Sequence, residues 1–231
     1  MAIPLYLAMT AEEFAKNTPH PDKVAWMACH FSHYGRGISD LPDKLPEGSV
    51  LILNDRVPIA DHDPERICKQ LSSWMKHRNL RGLLLDFQVP DNPKTALLTR
   101  YLTEELPCQV TVSSYYAQKG RPVFLPPVPL QIPLSEYLSP WEDFEIWLDA
   151  SLGTCCMTVD HSGCHISDAS DSGPFPHVDS VLHCRYRTCC EDGQVHFLLS
   201  RTKKDLASLL SEAENSGVTT AVGLYQELGR L

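Results

Sequence analysis

The sequence has no feature typical of a protein that crosses a membrane or binds nucleic acid. Its apolar runs all fall well short of the ~18 consecutive residues that a membrane-spanning helix needs. Positive charge is also scarce, with 20 Lys and Arg against 29 Asp and Glu and a formal net charge of −9. Contact with a phosphate backbone depends on clustered basic side chains. We therefore expect no membrane and no nucleic acid as partner.

Signals for export and for cofactor binding are missing as well. The first residues, MAIPLYLAMTAEEF, carry no basic segment ahead of the apolar one and turn acidic where a cleavage site would lie. The segment 33–37 contains two glycines without the spacing of a dinucleotide-binding or phosphate-binding loop, and we interpret it as a loop over the functional end of the fold. We expect a cytoplasmic protein without a cofactor, and the sequence leaves its oligomeric state open.

Nine cysteines are present, and six of them crowd between positions 155 and 190 together with several histidines. In a cytoplasmic chain such thiols stay reduced. No C-x₂-C pair occurs, although that spacing is typical of structural zinc sites. The simpler interpretation is that these cysteines act as small buried side chains and hold no metal. The alternative is that this region binds a metal or a partner protein.

Short apolar runs recur along the first two-thirds of the chain, separated by polar or helical stretches. Most are continuous rather than alternating and are rich in Val, Leu and Ile, which is typical of strands buried on both faces of a parallel sheet. They predict strands at residues 3–9, 23–31, 49–55, 81–88, 109–114 and 122–127. A seventh strand is predicted at 195–201 and an eighth at 219–228.

Helix start signals lie between these strands. Thr10, Asp63 and Asn92 each stand at an N-cap position, and the last two are followed by a proline at the first helical position. Another helix is predicted from about residue 201 up to Gly217. The alternation of strands and helices predicts an α/β fold, and eight strands favour a (β/α)₈ barrel over an open doubly wound sheet.

Some connections are too short for a full helix, so the sequence predicts an irregular, TIM-like barrel. Residues 144–194 break the alternation, and the turn at Asp192-Gly193 between alternating runs predicts a hairpin. We interpret this segment as a small antiparallel β insertion. The predicted division is 1–143 for the first part of the barrel, 144–194 for the insertion and 195–231 for the rest of the barrel.

Functional side chains of such a barrel lie at the carboxyl ends of its strands. Carboxylates, amides and aromatic rings, which are typical of a sugar pocket, follow several of the predicted strands. The candidate catalytic residues are Asp55, Asp86 and Glu227. The candidate substrate-binding residues are His30, Asn54, Gln88, Tyr115, Tyr116 and Tyr225.

The fourth predicted strand, RGLLLDFQVP (81–90), resembles the signature strand of family 18 glycoside hydrolases, which reads roughly D-G-x-D-x-D-[WF]-E-x-P. Gly82, Asp86, Phe87 and Pro90 occupy matching positions. The last strand is also similar to that of the family, with Tyr225 in the place of a Trp that floors the sugar pocket. The resemblance implies a TIM barrel with an oligosaccharide as partner.

Two departures from the family pattern concern the chemistry. Gln88 stands where the family has its catalytic Glu, and Leu84 stands at the middle acidic position. In that family the Glu protonates the leaving oxygen, while the substrate's acetamido group, oriented by the preceding Asp, is the nucleophile. A Gln amide cannot give up a proton, and loss of a general acid costs about 10²–10⁴-fold in rate. Standard hydrolysis is therefore not expected from this strand.

Three hypotheses follow. The first is a degenerate or non-hydrolytic relative of glycoside hydrolases that binds a glycan at the barrel mouth. The second is an active hydrolase of another type that uses Asp55, Asp86 or Glu227 as acid or base. The third is a non-catalytic scaffold whose Cys/His-rich insertion binds a metal or a partner. We favour the first because of Asp86-Phe87 on the fourth strand and Tyr225 on the last.

Overall fold

The computed structural model describes residues 2–17, 20–33, 37–59, 63–170 and 173–229. Its strands are β1 (Leu5–Met9), β2 (Val24–Phe31), β3 (Ile38–Ser39), β4 (Val50–Asn54), β5 (Gly82–Asp86), β6 (Val110–Ser113), β7 (Val123–Leu125), β8 (Ile146–Asp149), β9 (Gly153–Asp160), β10 (Gly163–Asp168), β11 (His177–Asp179), β12 (Cys184–Glu191), β13 (Gln194–Arg201) and β14 (Val218–Leu224). Its helices are α1 (Ala11–Lys16), α2 (Pro64–Met75), α3 (Pro93–Glu105), α4 (Leu134–Leu138), α5 (Lys203–Asn215) and α6 (Tyr225–Leu228).

Eight parallel strands form a closed barrel in the order β1, β2, β4, β5, β6, β7, β8 and β14. The sheet closes because β1 pairs with β14 on one side and with β2 on the other. The two-residue strand β3 adds antiparallel to the end of β2. The predicted TIM-like barrel is therefore confirmed, and the open doubly wound sheet is excluded.

A second sheet of five antiparallel strands has the order β10, β9, β13, β12, β11. The predicted turn joins β12 to β13, where Asp192 and Gly193 both have positive φ, as a type I′ hairpin turn requires. The predicted small antiparallel insertion is thus present.

The seventh barrel strand differs from the prediction. The apolar run at 195–201 forms β13, which pairs antiparallel with β9 and β12 in the second sheet. The barrel position belongs instead to β8, which pairs in parallel with β7 and β14. Hydrophobic content indicates that a run is buried but not which sheet it joins. The domain boundaries stay a prediction, although the pairings place β8 with the barrel and β13 with the insertion.

The first three helices begin at the predicted N-cap residues. The Thr10 side chain and Glu13 form a capping box at α1, and the side chains of Asp63 and Asn92 accept backbone N–H groups at the starts of α2 and α3. The N-cap of α5 is Thr202. Within the described ranges, no helix is long and apolar enough to cross a membrane.

The inside of the barrel is filled by apolar side chains from seven of its strands. Trp147 on β8 is fully buried, and Leu84 on β5 is 1% exposed. Outside the barrel, one core lies between the sheet and helices α2 and α3, and another involves α4 and α5. Leu84 therefore places an apolar side chain at the position where the family motif has an acid.

Two neighbouring leucines of α3 give a matched test of the core. Leu98 is fully buried and Leu97 is 56% exposed. We expect Leu98→Ala to lower the free energy of unfolding by about 2–5 kcal/mol, because it loses buried surface and leaves a cavity. Leu97→Ala should change it by no more than about 0.5 kcal/mol. Urea unfolding of both variants measures the difference, and equal losses would contradict this description of the core.

Candidate active site at the barrel mouth

A cavity of about 150 Å³ opens at the carboxyl ends of the barrel strands. Most of its wall is apolar and includes the side chains of Met27, Ile52, Leu84, Phe124 and Val222. Its polar lining consists of Asn54, Asp86, Asp149 and Ser151. An apolar pocket with a few converging polar groups is the usual form of a small-molecule site.

A smaller groove of about 70 Å³ adjoins this cavity and shares Phe124 and Asp149 with it. Gln88 and Tyr115 line the groove, which also contacts the proline-rich segment after β7. The cavity and the groove thus lie side by side at the mouth, and the two are together called the cleft.

Asp86 ends β5 and lines the cavity, as predicted from its position. The Gln88 side-chain Nε2 donates a hydrogen bond to Asp86 Oδ1. Burial raises the pKa of Asp86, the hydrogen bond from Gln88 opposes this rise, and the nearby Asp55 carboxylate adds to it. The two residues singled out by the family motif therefore act on each other at the edge of the cavity.

Asp149, at the end of β8, is a cavity residue that the sequence interpretation missed. Its pKa is raised to about 6, mainly by burial and also by the charges of Asp86 and Glu227, while the Ser151 hydroxyl opposes the rise by donating to Oδ1. A signal was present, since Leu148-Asp149 ends an apolar run as Leu85-Asp86 does. That run was assigned to the insertion, so its last residue was not placed at the barrel mouth.

Asp55 does not line the cavity but holds the loop that follows β5. Its carboxylate accepts the backbone N–H groups of Gln88 and Val89 at 3.0–3.1 Å. This fixes the direction in which Gln88 leaves the strand. The geometry thus gives Asp55 a positioning role at this loop, and its catalytic role stays a prediction.

Glu227 lies on α6 and is also absent from the cavity lining. Its Oε2 accepts the backbone N–H of Leu152 at 3.1 Å, which ties α6 to the segment after β8. Its charge still reaches the cavity, because it contributes to the raised pKa of Asp149.

Asn54 and His30 lie on neighbouring strands but differ in position. Asn54 lines the cavity, and its Nδ2 donates to the Met27 carbonyl at 3.2 Å. His30 is not among the cavity residues, and its Nδ1 lies 3.2 Å from the Ala28 carbonyl and 3.4 Å from Asp40 Oδ2. Of these two predicted binding residues, the structure brings only Asn54 to the site.

The three predicted tyrosines have three different surroundings. Tyr115 is 52% exposed and lines the groove. Tyr116 lies in the core instead, because its ring packs edge-on against Phe87 and its hydroxyl donates to the Val89 carbonyl. Tyr225 lies in a separate surface depression that includes Leu5, and its hydroxyl donates to Asn17 Oδ1 at 2.8 Å. Only Tyr115 is thus placed to contact a ligand in the cleft.

The insertion brings no metal-binding group together in the part of the chain that the structure describes. No three His, Cys, Asp or Glu side chains there are arranged to hold a metal ion. Cys184 is buried, whereas Cys164, Cys189 and Cys190 are exposed. The interpretation as small buried side chains therefore applies to only part of the set. Residues 34–36 of the loop predicted over the functional end lie outside the described residues.

The fold of this chain is similar to that of several solved structures. The spore cortex-lytic enzyme SleL of Bacillus cereus matches 96% of this chain and 70% of its own, at 8% identity and a TM-score of 0.57. A GH18 chitinase from Cycas revoluta, solved in complex with (GlcNAc)₃, matches 95% and 94%, at 10% identity and 0.55. A chitinase from Chromobacterium violaceum matches 96% and 93%, at 11% identity and 0.52.

These likenesses define the class of the fold as a family 18 glycoside hydrolase-like TIM barrel. The distant resemblance inferred from the strand that carries Asp86 is confirmed at the level of the fold. No protein-family model matches the sequence, and the search of curated proteins found no match.

The raised pKa of Asp149 makes a prediction about stability and pH. A carboxyl with a pKa of about 6 when folded, against an ordinary value of 3.8, binds protons more tightly in the folded state. Its ionisation should therefore lower the free energy of unfolding as the pH rises from about 4 to about 6. Asp149→Asn should remove this loss, so its stability relative to the wild type should increase with pH over that range. Urea unfolding at several pH values tests this, and a constant difference would contradict it.

A second prediction concerns Asp55. Asp55→Ala removes the acceptor of two backbone N–H groups, at Gln88 and Val89, and should lower the free energy of unfolding by about 1–3 kcal/mol. Asp55→Asn keeps one acceptor oxygen and should lose less. Hydrogen exchange should speed up at these two amides more than elsewhere in the barrel. Exchange that stays slow there would show that the carboxylate does not hold the loop.

Proposed function

We propose that this chain binds a glycan at the barrel mouth without hydrolysing it by the route of family 18. The support is the cleft, whose apolar wall includes Phe124 and whose polar groups converge from different strands. Sugar rings offer apolar faces and hydroxyl groups, so they match both kinds of lining. The neighbours in fold include a chitinase solved with (GlcNAc)₃.

The hydrogen bond from the Gln88 amide to Asp86 carries the non-hydrolytic part of the proposal. An acid at residue 88 would donate a proton to the leaving oxygen, whereas an amide holds its N–H protons. Here the amide instead satisfies one oxygen of Asp86. Leu84 also argues against hydrolysis by the family 18 route. It lines the cavity with an apolar side chain at the position where the family motif has a carboxylate.

Each lining residue then has a role in binding. Asp86 and Asp149 accept hydrogen bonds from sugar hydroxyls, and Asn54 adds an amide beside them. Phe124 lies where the cavity meets the groove and offers an apolar surface to a ring. Tyr115 at the exposed rim is available for stacking on the next sugar along the groove.

A second candidate function rests on Asp149. With a pKa raised to about 6, its carboxyl is partly protonated near neutral pH and could act as a general acid. This is the active-hydrolase hypothesis with Asp149 added to the set of acids. It predicts hydrolysis by the wild-type protein that is lost in Asp149→Asn.

The test compares binding with hydrolysis. We expect the wild type to bind (GlcNAc)₃ in calorimetry and to release no shorter sugars. Gln88→Glu should gain measurable hydrolysis, because it restores an acid whose loss costs about 10²–10⁴-fold. Gln88→Glu combined with Asp86→Asn is the matched control and should lose that gain.

The outcomes separate the candidates. Hydrolysis by the wild type that depends on Asp149 would replace the first proposal with the second. Absence of (GlcNAc)₃ binding in the wild type, or binding whose affinity is unchanged in Phe124→Ala, would overturn the proposal that a glycan occupies this site.

A further inference from the structure

A side cavity of about 210 Å³ lies between the segment after β7 and the antiparallel sheet. Pro127–Gln131 form one wall, and Cys155 and Ile166 of the sheet form the other. The cavity shares Ser151 with the barrel mouth and Pro127 with the adjoining groove. The side cavity is therefore adjacent to both the mouth and the groove.

Arg201 lines this side cavity and is 4% exposed. Its guanidinium donates to three backbone carbonyls: Nη1 to Val128 at 2.7 Å, Nη2 to Leu182 at 3.3 Å and Nε to His183 at 3.3 Å. A guanidinium has five N–H donors, so two of them have no hydrogen-bond partner among the described residues.

Arg201 has no carboxylate partner within 4.0 Å among the residues that the structure describes. The nearby Asp205 acts on it only through space, since its Oδ2 accepts from Arg185 at 3.2 Å and from the Thr202 hydroxyl at 2.6 Å. Burial lowers the pKa of the Arg201 guanidinium. A buried cation that has no carboxylate in direct contact gains from an anion placed beside it.

The charges of the two cavities are opposite. Among the residues that the structure describes, the barrel mouth is lined by Asp86 and Asp149 and by no basic side chain, whereas Arg201 is the only charged side chain that lines the side cavity. The whole chain carries a formal charge of −9. Attraction of an anion must therefore come from this local site, because the overall charge repels it.

We propose that the side cavity holds an anionic substituent, such as a carboxylate, of the glycan that occupies the mouth. This inference rests on the proposed glycan binding and names the class of glycan as acidic. The neutral sugar ring lies in the mouth, and the substituent reaches past Ser151 to the unused N–H groups of Arg201.

Arg201 itself is a poor site for mutation, because its bonds join β13 to two other segments. Ile166 offers a better one, since it lines the same cavity and is 52% exposed. Ile166→Asp places a negative charge in the cavity, and Ile166→Asn is the neutral control of the same shape. Val178→Asp, at a residue of β11 that is 61% exposed, controls for an added charge elsewhere on the sheet.

The probes are (GlcNAc)₃, O-carboxymethylated (GlcNAc)₃ and inorganic phosphate, each measured by calorimetry at low salt. We expect the wild type to bind the carboxymethylated sugar at least about tenfold more tightly than the neutral one, the scale of a hydrogen bond to a charged group. Ile166→Asp should abolish this preference, whereas Ile166→Asn and Val178→Asp should keep it. The affinity for (GlcNAc)₃ should be the same in all four proteins.

The other outcomes show which of the two proposals is wrong, the anion site or glycan binding. Equal affinity of the wild type for both sugars, or a preference that survives in Ile166→Asp, overturns the anion site and leaves glycan binding intact. If neither sugar binds, the proposal of glycan binding is wrong. Phosphate binding then tests the anion site by itself. If the wild type binds phosphate and Ile166→Asp does not, the side cavity is an anion site for a ligand other than a glycan. If the wild type does not bind phosphate, the anion site is overturned.

Discussion

Closure of the sheet at β1 is the constraint on which the rest of the structure depends. Because β1 pairs with both β2 and β14, inward side chains meet across a closed interior with no route to solvent except at its ends. The interior is filled with apolar groups, so a polar side chain can face inward only near a rim. Asp86 and Asp149 come from strands that are not neighbours, yet closure brings both to the same mouth, where burial raises the pKa of each.

The barrel could be predicted to the extent that each strand is recognisable by itself. Seven apolar runs became the barrel strands they were predicted to be, because a continuous run such as Leu83–Leu85 has to be buried on both sides. The eighth position could not be assigned in this way. Both β8 and β13 are apolar, and what separates them is pairing with strands far away in the chain, which no local pattern records.

Because local patterns do not record contacts with distant parts of the chain, only some residues of the site could be predicted. Asp86 and Gln88 could be predicted because they follow a strand that is recognisable by itself, and the family resemblance concerns the same strand. Asp149 was missed because its strand had been placed in the wrong sheet. Tyr116 and Tyr225 follow barrel strands, but what their hydroxyls contact depends on Val89 and Asn17, residues distant in sequence. Residue type indicated the chemistry of the site, while orientation had to come from the structure.

The base of the antiparallel sheet has a consequence for how this chain can change over evolution. Gly153 at the start of β9 pairs with Arg201 at the end of β13. The chain therefore enters and leaves the antiparallel sheet at two residues that are only about 5 Å apart. Residues can be gained or lost within it without altering the distance that the barrel must span. Selection can therefore remodel the wall beside the mouth as a self-contained module while β8, α5 and β14 keep their places.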